Sequence, residues 1–152
     1  MDRRESERMK RLAGGMIFAL LVTGCTIAVD FIPFPVATPI AIRPLEQASS
    51  PAWSGGLAAG ERRVFSFAGT ARAQLRACVQ TGPQTPARLE VFDSQGRLTA
   101  AVDEAAVAGQ AIIIEPAGLC ITFRSDAIGR GYLQVTNRAA FSNQFTLFLY
   151  YR

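Results

Sequence analysis

Histidine is absent from the 152 residues of this chain, and its absence excludes several common reaction mechanisms. Ser-His-Asp and Cys-His catalysis both use an imidazole, and so do His-ligated zinc sites. The carboxylates that could form a glycosidase pair, such as Glu90, Asp103 and Glu115, have no spacing that singles out two facing partners. We therefore predict a protein that is not an enzyme and that needs no cofactor.

Lysine is scarce as well: Lys10 is the only one, and every later cation is an arginine. The formal net charge is +4, but five of the cations stand at or before Arg11. In the rest of the chain no basic run occurs, and acidic residues nearly balance the arginines. Nucleic acid is therefore not an expected partner.

The N-terminal segment has the composition of an export signal. A basic stretch precedes a short apolar stretch, MIFALLV at residues 16–22, which small residues follow. This order is typical of a secretory signal peptide. The closing residues Val22-Thr23-Gly24-Cys25 resemble the bacterial lipobox. The resemblance implies that residues 1–24 are removed, that Cys25 carries the lipid, and that Thr26 directs the protein to the outer membrane.

A transmembrane anchor is the alternative interpretation of the same segment. Residues 12–29 are almost unbroken apolar sequence, about the minimum length that spans a bilayer. The preceding positive charge keeps the N-terminus in the cytoplasm in either case. Both interpretations therefore place the remainder in the bacterial cell envelope. We expect a membrane-anchored protein, at the outer membrane if Cys25 is lipidated, facing the periplasm or the cell exterior.

Residues 25–60 read as a linker rich in proline. Prolines at positions 33, 35, 39, 44 and 51 favour extended chain and exclude a long helix. The segment also carries apolar side chains, Phe31 and Phe34 among them, and exposing them costs free energy. Residues 27–45 are therefore expected to lie against the membrane, against the protein's own domain, or in a partner's groove.

Residues 61–152 show short alternating apolar runs between turn residues, a pattern typical of antiparallel β-structure. No internal repeat and no clear amphipathic helix is present. About eight strands are predicted, at residues 64–67, 73–80, 89–93, 98–102, 111–114, 119–123, 132–136 and 145–151. The predicted fold is all-β, two antiparallel sheets packed face to face as a jelly-roll-like β-sandwich.

Two cysteines of this domain share one property. In their strands Cys78 and Cys120 alternate with the apolar positions, so both thiols are predicted to point away from the core. In an oxidising compartment such a pair most simply forms a cross-strand disulfide, and free surface thiols are the alternative.

Three segments are similar to known β-sandwich families. Phe65-Ser66-Phe67, LEVFDSQG at residues 89–96 and PAGLCI at residues 116–121 resemble the bacterial pre-peptidase C-terminal domain, an accessory module of secreted proteins. Residues 89–93 and 123–126, with Gly131-Tyr132, are also similar to CUB domains. Some CUB domains bind calcium, which makes Asp93 and Asp126 weak calcium candidates. Ala87 stands where an earlier aspartate ligand is expected, so we predict no metal site.

The C-terminal run supplies the remaining candidate residues. Phe148 and Tyr150 alternate with an apolar set and should lie on the other face of their strand. With Phe31 and Phe34 they form the predicted contact surface. The sequence favours an interaction or structural subunit, held to the membrane by lipid on Cys25 and bound to another envelope protein. The alternatives are a carbohydrate- or calcium-dependent adhesion module, with a glycan as partner, and a single-helix membrane subunit of a larger complex.

Overall fold

A computed structural model describes residues 33–82, 85–103 and 118–152. The predicted signal segment, Cys25, Phe31 and the predicted strand at 111–114 lie outside these residues. The described part contains one short 3-10 helix, Leu45–Gln47, and nine strands: β1 Thr38–Pro39, β2 Trp53–Leu57, β3 Arg62–Ala68, β4 Gln74–Thr81, β5 Ala87–Asp93, β6 Leu98–Asp103, β7 Leu119–Arg124, β8 Arg130–Asn137 and β9 Asn143–Tyr151. None of the described helices is long and apolar enough to cross a membrane.

The strands form two sheets. One has the order β1-β3-β8-β5-β6 and the other the order β2-β9-β4-β7. The eight longer strands, β2 to β9, have the strand order of a jelly roll, β3-β8-β5-β6 in one sheet and β2-β9-β4-β7 in the other, which confirms the predicted fold class. The two-residue strand β1 is the exception, because it pairs with β3 in parallel.

The core lies between the inner faces of the two sheets. Alternation along each strand sends every second side chain inward, and these side chains are almost all apolar and buried. In β9 the inward set is Phe145, Leu147 and Leu149, as the sequence predicted, and each is at most 1% exposed. Each such side chain contributes about 1.5–3 kcal/mol by leaving water.

The β-domain begins well before residue 61, inside the stretch 25–60 that we predicted as a linker. Strand β2 pairs with β9 from Trp53↔Leu147 to Leu57↔Asn143, and the Trp53 ring lies 5.0 Å from that of Phe65. Its sequence, WSGGL, has two glycines and little strand propensity of its own. The strand forms because β9 supplies hydrogen-bond partners that are remote in sequence.

The described part of the predicted linker lies against the protein's own domain. The Phe34 ring packs on the outer face of the five-stranded sheet, with centroids 5.1 Å from Phe92 and 4.9 Å from Tyr132. Residues Thr38–Pro39 then pair with β3, and Arg43 forms a bridge with Tyr150. Of the three expected locations for residues 27–45, the protein's own domain is the one occupied by residues 33–45.

Candidate binding groove on the four-stranded sheet

The outer face of the four-stranded sheet carries a disulfide between β4 and the edge strand β7. Cys78 of β4 stands opposite Cys120 of β7 in the antiparallel register, and the two sulfurs are bonded. On its other side Cys78 stands opposite Phe148 of β9. The predicted disulfide is therefore confirmed. The row Phe148, Cys78, Cys120 crosses three strands and gives this face an apolar floor.

A groove of about 320 Å³ lies over this floor. The side chains of Phe148 and Tyr150 line it together with the disulfide, and Gln80 and Gly118 border the same space. This volume falls at the lower end of the range found for ligand sites. Phe148 and Tyr150, both named from sequence alternation, thus lie in one concave site.

The opposite wall of the groove comes from Ala48 and Ser49, just beyond the 3-10 helix. The backbone N–H of Arg43 donates to the carbonyl of Leu149 at 2.8 Å. Farther along, the N–H of Ala52 donates to the carbonyl of Leu147, also at 2.8 Å. Because both bonds fix the chain to β9, residues 44–51 must leave the sheet between them, and they form the wall.

Charge is distributed unevenly between the sheets. No aspartate or glutamate occurs in β2, β4, β7 or β9, whereas Arg76 of β4 and Arg124 of β7 lie on the outer face. The described ion pairs belong to the other sheet and its loops, where Arg88 binds Glu90 at 2.9 Å and both Arg88 and Arg138 bind Asp103. The four strands that carry the groove therefore contribute arginines and no acidic side chain to this face.

Asp93 and Asp126, the weak calcium candidates, lie together at one end of the sandwich. Oδ1 of Asp93 accepts the N–H groups of Gln95 and Arg97, both at 2.9 Å. Oδ1 of Asp126 accepts those of Ile128 and Arg130 at 3.0 and 2.9 Å. The N–H of Ser94 donates to Oδ2 of Asp126 at 3.2 Å. These carboxylates hold turns, because their oxygens already accept hydrogen bonds from the protein.

The ionisation of both aspartates reflects this bonding. Burial tends to raise the pKa of Asp126, but the hydrogen bonds from Ser94, Arg130 and Ile128 outweigh burial and hold the pKa below its ordinary value. Burial likewise tends to raise the pKa of Asp93, and the hydrogen bonds from Arg97 and Gln95 lower it overall. Across the described ranges, no group of three acidic or cysteine side chains is placed to hold a metal ion.

Among the described residues, the other candidate aromatic side chains do not join the groove. Phe34 and Tyr132 lie on the outer face of the opposite sheet, and Trp53 and Tyr151 pack against the core. Sequence reasoning missed Ala48, Ser49, Gln80 and Gly118, which line the groove without any motif. Their role depends on the path of residues 44–51 over the sheet, which no local pattern reveals.

Comparison with known proteins defines the fold. No protein-family model and no curated protein matches the chain. Among solved structures it is similar to the pre-peptidase C-terminal domain of collagenase from Bacillus anthracis, with 13% identity, a TM-score of 0.50, and coverage of 74% of this chain and 93% of that one. PliG from Aeromonas hydrophila, a periplasmic inhibitor of g-type lysozyme, gives 16% identity, a TM-score of 0.48, and coverage of 76% and 97%.

At such low identity a structural likeness establishes a shared fold and nothing about a ligand. The collagenase domain, at a TM-score of 0.50, confirms the predicted resemblance to pre-peptidase C-terminal domains at the level of the β-sandwich. The similarity to CUB domains stays a prediction.

Proposed function

We propose that this chain is a non-enzymatic, membrane-anchored envelope lipoprotein that binds another envelope protein through the groove on its four-stranded sheet. The observation that carries the proposal is the groove itself, where two aromatic side chains and a disulfide line one concave site. Aromatic side chains in a concave site are typical of binding hot spots.

Two features support an envelope location. A cross-strand disulfide between Cys78 and Cys120 is expected where the compartment is oxidising, as in the periplasm. The lipobox-like residues 22–25 and the basic residues before them supply a route out of the cytoplasm. Lipid on Cys25 would then hold the protein at the membrane.

The groove also indicates the chemistry of the partner segment. Its floor is apolar, so it favours an apolar side chain, and Gln80 offers an amide at the border. A segment that places a polar residue beside an apolar one would complement both features.

Site-specific photocrosslinking in intact cells tests the groove. A photoreactive phenylalanine analogue replaces Tyr150 in the full chain, produced with its leader in the bacterium that naturally makes it. We expect one adduct of discrete mass, because a bound partner would lie within reach of this position. Proteolytic digestion of that adduct should release peptides of a second protein, and glycosidases should leave the mass of the intact adduct unchanged.

The matched control places the same analogue at Phe141, which is 55% exposed and lies in the β8–β9 connection, away from the groove. Adducts of equal yield at both positions, or none at position 150, would contradict the proposal. An adduct removed by glycosidase would favour the carbohydrate alternative, which rests on the same aromatic and amide lining. Because Asp93 and Asp126 hold turns, the groove is expected to work without calcium.

The form of the anchor is tested separately by intact-mass analysis of the membrane-extracted protein. We expect the mass of residues 25–152 plus acyl chains, since the signal sequence ends in a lipobox-like tetrad. A Cys25→Ser chain should retain its leader and carry no acyl mass. If the unaltered protein has the mass of the full chain, the anchor is the apolar helix predicted at residues 12–29, and the lipoprotein proposal is wrong.

A further inference from the structure

We propose that one end of the sandwich rests on the anionic surface of the membrane. This end, called here the loop end, comprises the β3–β4 turn at residues 69–73, the β5–β6 turn at residues 94–97 and the β7–β8 loop at residues 125–129. The proposal rests on the lipid anchor proposed for Cys25 and adds a second contact with the same bilayer.

Hydrogen bonds and packing connect the three segments. The Asp126 carboxylate accepts from Ser94 with one oxygen and from Ile128 with the other, so it ties the β7–β8 loop to the β5–β6 turn. The β3–β4 turn is joined to the β7–β8 loop, because the N–H groups of Gly69 and Arg72 donate to the carbonyls of Gly129 and Asp126 at 2.8 and 3.0 Å.

Apolar side chains project from two of these segments. Leu98 directly after the β5–β6 turn is 52% exposed, and Ile128 in the β7–β8 loop is 60% exposed. Three other large apolar side chains of the described residues, Val36, Leu45 and Phe141, are exposed to this extent, and they lie elsewhere. Apolar side chains gathered at one site, with charges around them, mark an interaction surface. Spread over two segments, they suit shallow burial at the boundary between headgroups and acyl chains.

The charges at the loop end have the sign that an anionic bilayer requires. Arg72, Arg97 and Arg130 are exposed there, and the Arg97 side chain is paired with Asp93 at 2.7 Å. The Asp126 carboxylate accepts from N–H groups of the turns and is partly buried. These three arginines and two aspartates leave this end with a net charge of +1. Arginines near an anionic leaflet are attracted to it over about a Debye length.

The path of the N-terminal chain favours a membrane over a protein as the occupant. Pro33 packs on the β5–β6 turn, because a Cβ added at Gly96 would lie 2.5 Å from its Cβ. Gly96 also has a φ of +76°, so both its backbone conformation and the close approach of Pro33 require glycine at this position. Residues 26–32 separate Pro33 from Cys25, and a stretch of that length spans at most about 28 Å when fully extended. A lipid on Cys25 would therefore keep the loop end, where the described chain begins, close to the bilayer.

Quenching by brominated lipids tests this contact in the full, acylated chain. Trp53 is replaced by Phe, and a single tryptophan is introduced by Ile128→Trp or by the control Phe141→Trp. Both positions are exposed and apolar, but Phe141 lies beyond the opposite ends of β8 and β9. In vesicles of brominated phosphatidylglycerol we expect the emission from position 128 to fall by roughly half, since bromine quenches only at contact with the acyl region. The emission from position 141 should not change.

Lipid composition and salt distinguish attraction of the arginines to anionic lipid from insertion of the apolar side chains. In brominated phosphatidylcholine, or at high salt, quenching at position 128 should weaken, because the arginines then lose their anionic counterpart. Equal quenching in both lipids would overturn the anionic part of the proposal. An acylated protein with no quenching at position 128 would overturn the whole of it and leave the proposed lipoprotein intact, whereas a chain without acyl mass would show that the proposed function fails.

Hydrogen exchange on the unaltered acylated protein provides a measurement that does not depend on substitutions. We expect slower exchange at residues 94–97 and 126–130 in phosphatidylglycerol vesicles than in detergent, and no change at residues 138–142. Slowing confined to whole native membranes, and absent from pure lipid, would show that a protein covers the loop end and would overturn the proposal.

Discussion

Replacing Asn137 by aspartate is expected to lower the free energy of unfolding by about 3–5 kcal/mol at neutral pH. Asn137 is 0% exposed. Its amide nitrogen donates to the carbonyls of Leu57, Ala58 and Phe141 at 3.1, 3.0 and 2.9 Å. A carboxylate would place a negative charge against those three oxygens and leave them without a donor. Urea denaturation followed by circular dichroism measures the loss.

The pH dependence identifies the cause of that loss. In the variant the buried carboxyl should have a pKa above its unfolded value of about 3.9. The loss in free energy of unfolding relative to the parent chain is therefore greatest at high pH, and it shrinks as the pH falls toward the pKa of the unfolded chain. The parent chain changes in the opposite sense. The pKa values of Asp93 and Asp126 are lowered, so their contribution is present above about 3.9 and is lost as the pH falls through the folded values.

The difference in stability between the two chains at each pH is thus the quantity to follow. Gln144→Glu is the matched control, since it makes the same amide-to-carboxylate change at an exposed position of β9. We expect its effect to stay within about 0.5 kcal/mol. A similar loss in both variants would show that added charge is responsible and would contradict the structural role of the buried amide.

Alternation explains what could be predicted from the sequence. The side-chain period of a strand is fixed by its backbone, so the apolar set in β9 identifies its inner face and places Phe148 and Tyr150 outside. The same reasoning placed Cys78 and Cys120 on the outer face of their strands, where the structure shows them bonded. These inferences use only neighbouring residues, which is why they needed no knowledge of the topology.

The groove wall and the true start of the domain depend on contacts that are remote in sequence. Proline density correctly indicated extended chain before residue 61, but extended chain can be a linker or a sheet strand. Contacts with the rest of the domain decide which of the two forms. Strand β9 pairs with β2 and forms a bridge with Arg43, and the Phe34 ring packs on Phe92 and Tyr132. Nothing in the local sequence records those partners.

Removing the Cys78–Cys120 bond by replacing both cysteines with alanine should cost about 4 kcal/mol, because the bond closes a loop of 42 residues in sequence separation. A typical domain has a total stability of about 5–15 kcal/mol, so this is a large share. The Tm is expected to fall by roughly 12–20 °C, measured by calorimetry. A reducing agent should lower the Tm of the parent chain to about that of the variant and should leave the variant unchanged. If the variant has the same Tm as the oxidised parent chain, the loop-closure explanation is wrong for this bond.

The bond also forms part of the groove floor, so its effect on binding has to be separated from its effect on stability. Phe148 and Tyr150 are positioned by the β4–β9 ladder, which runs from Leu75↔Tyr151 to Thr81↔Phe145 and does not need the sulfurs. Well below both melting temperatures, the variant should therefore still give the adduct at position 150. Between the two melting temperatures only the parent chain should give it. Loss of the adduct while the variant is fully folded would mean that the disulfide itself contacts the partner, whereas its persistence would mean that the bond serves binding by keeping the sheet folded.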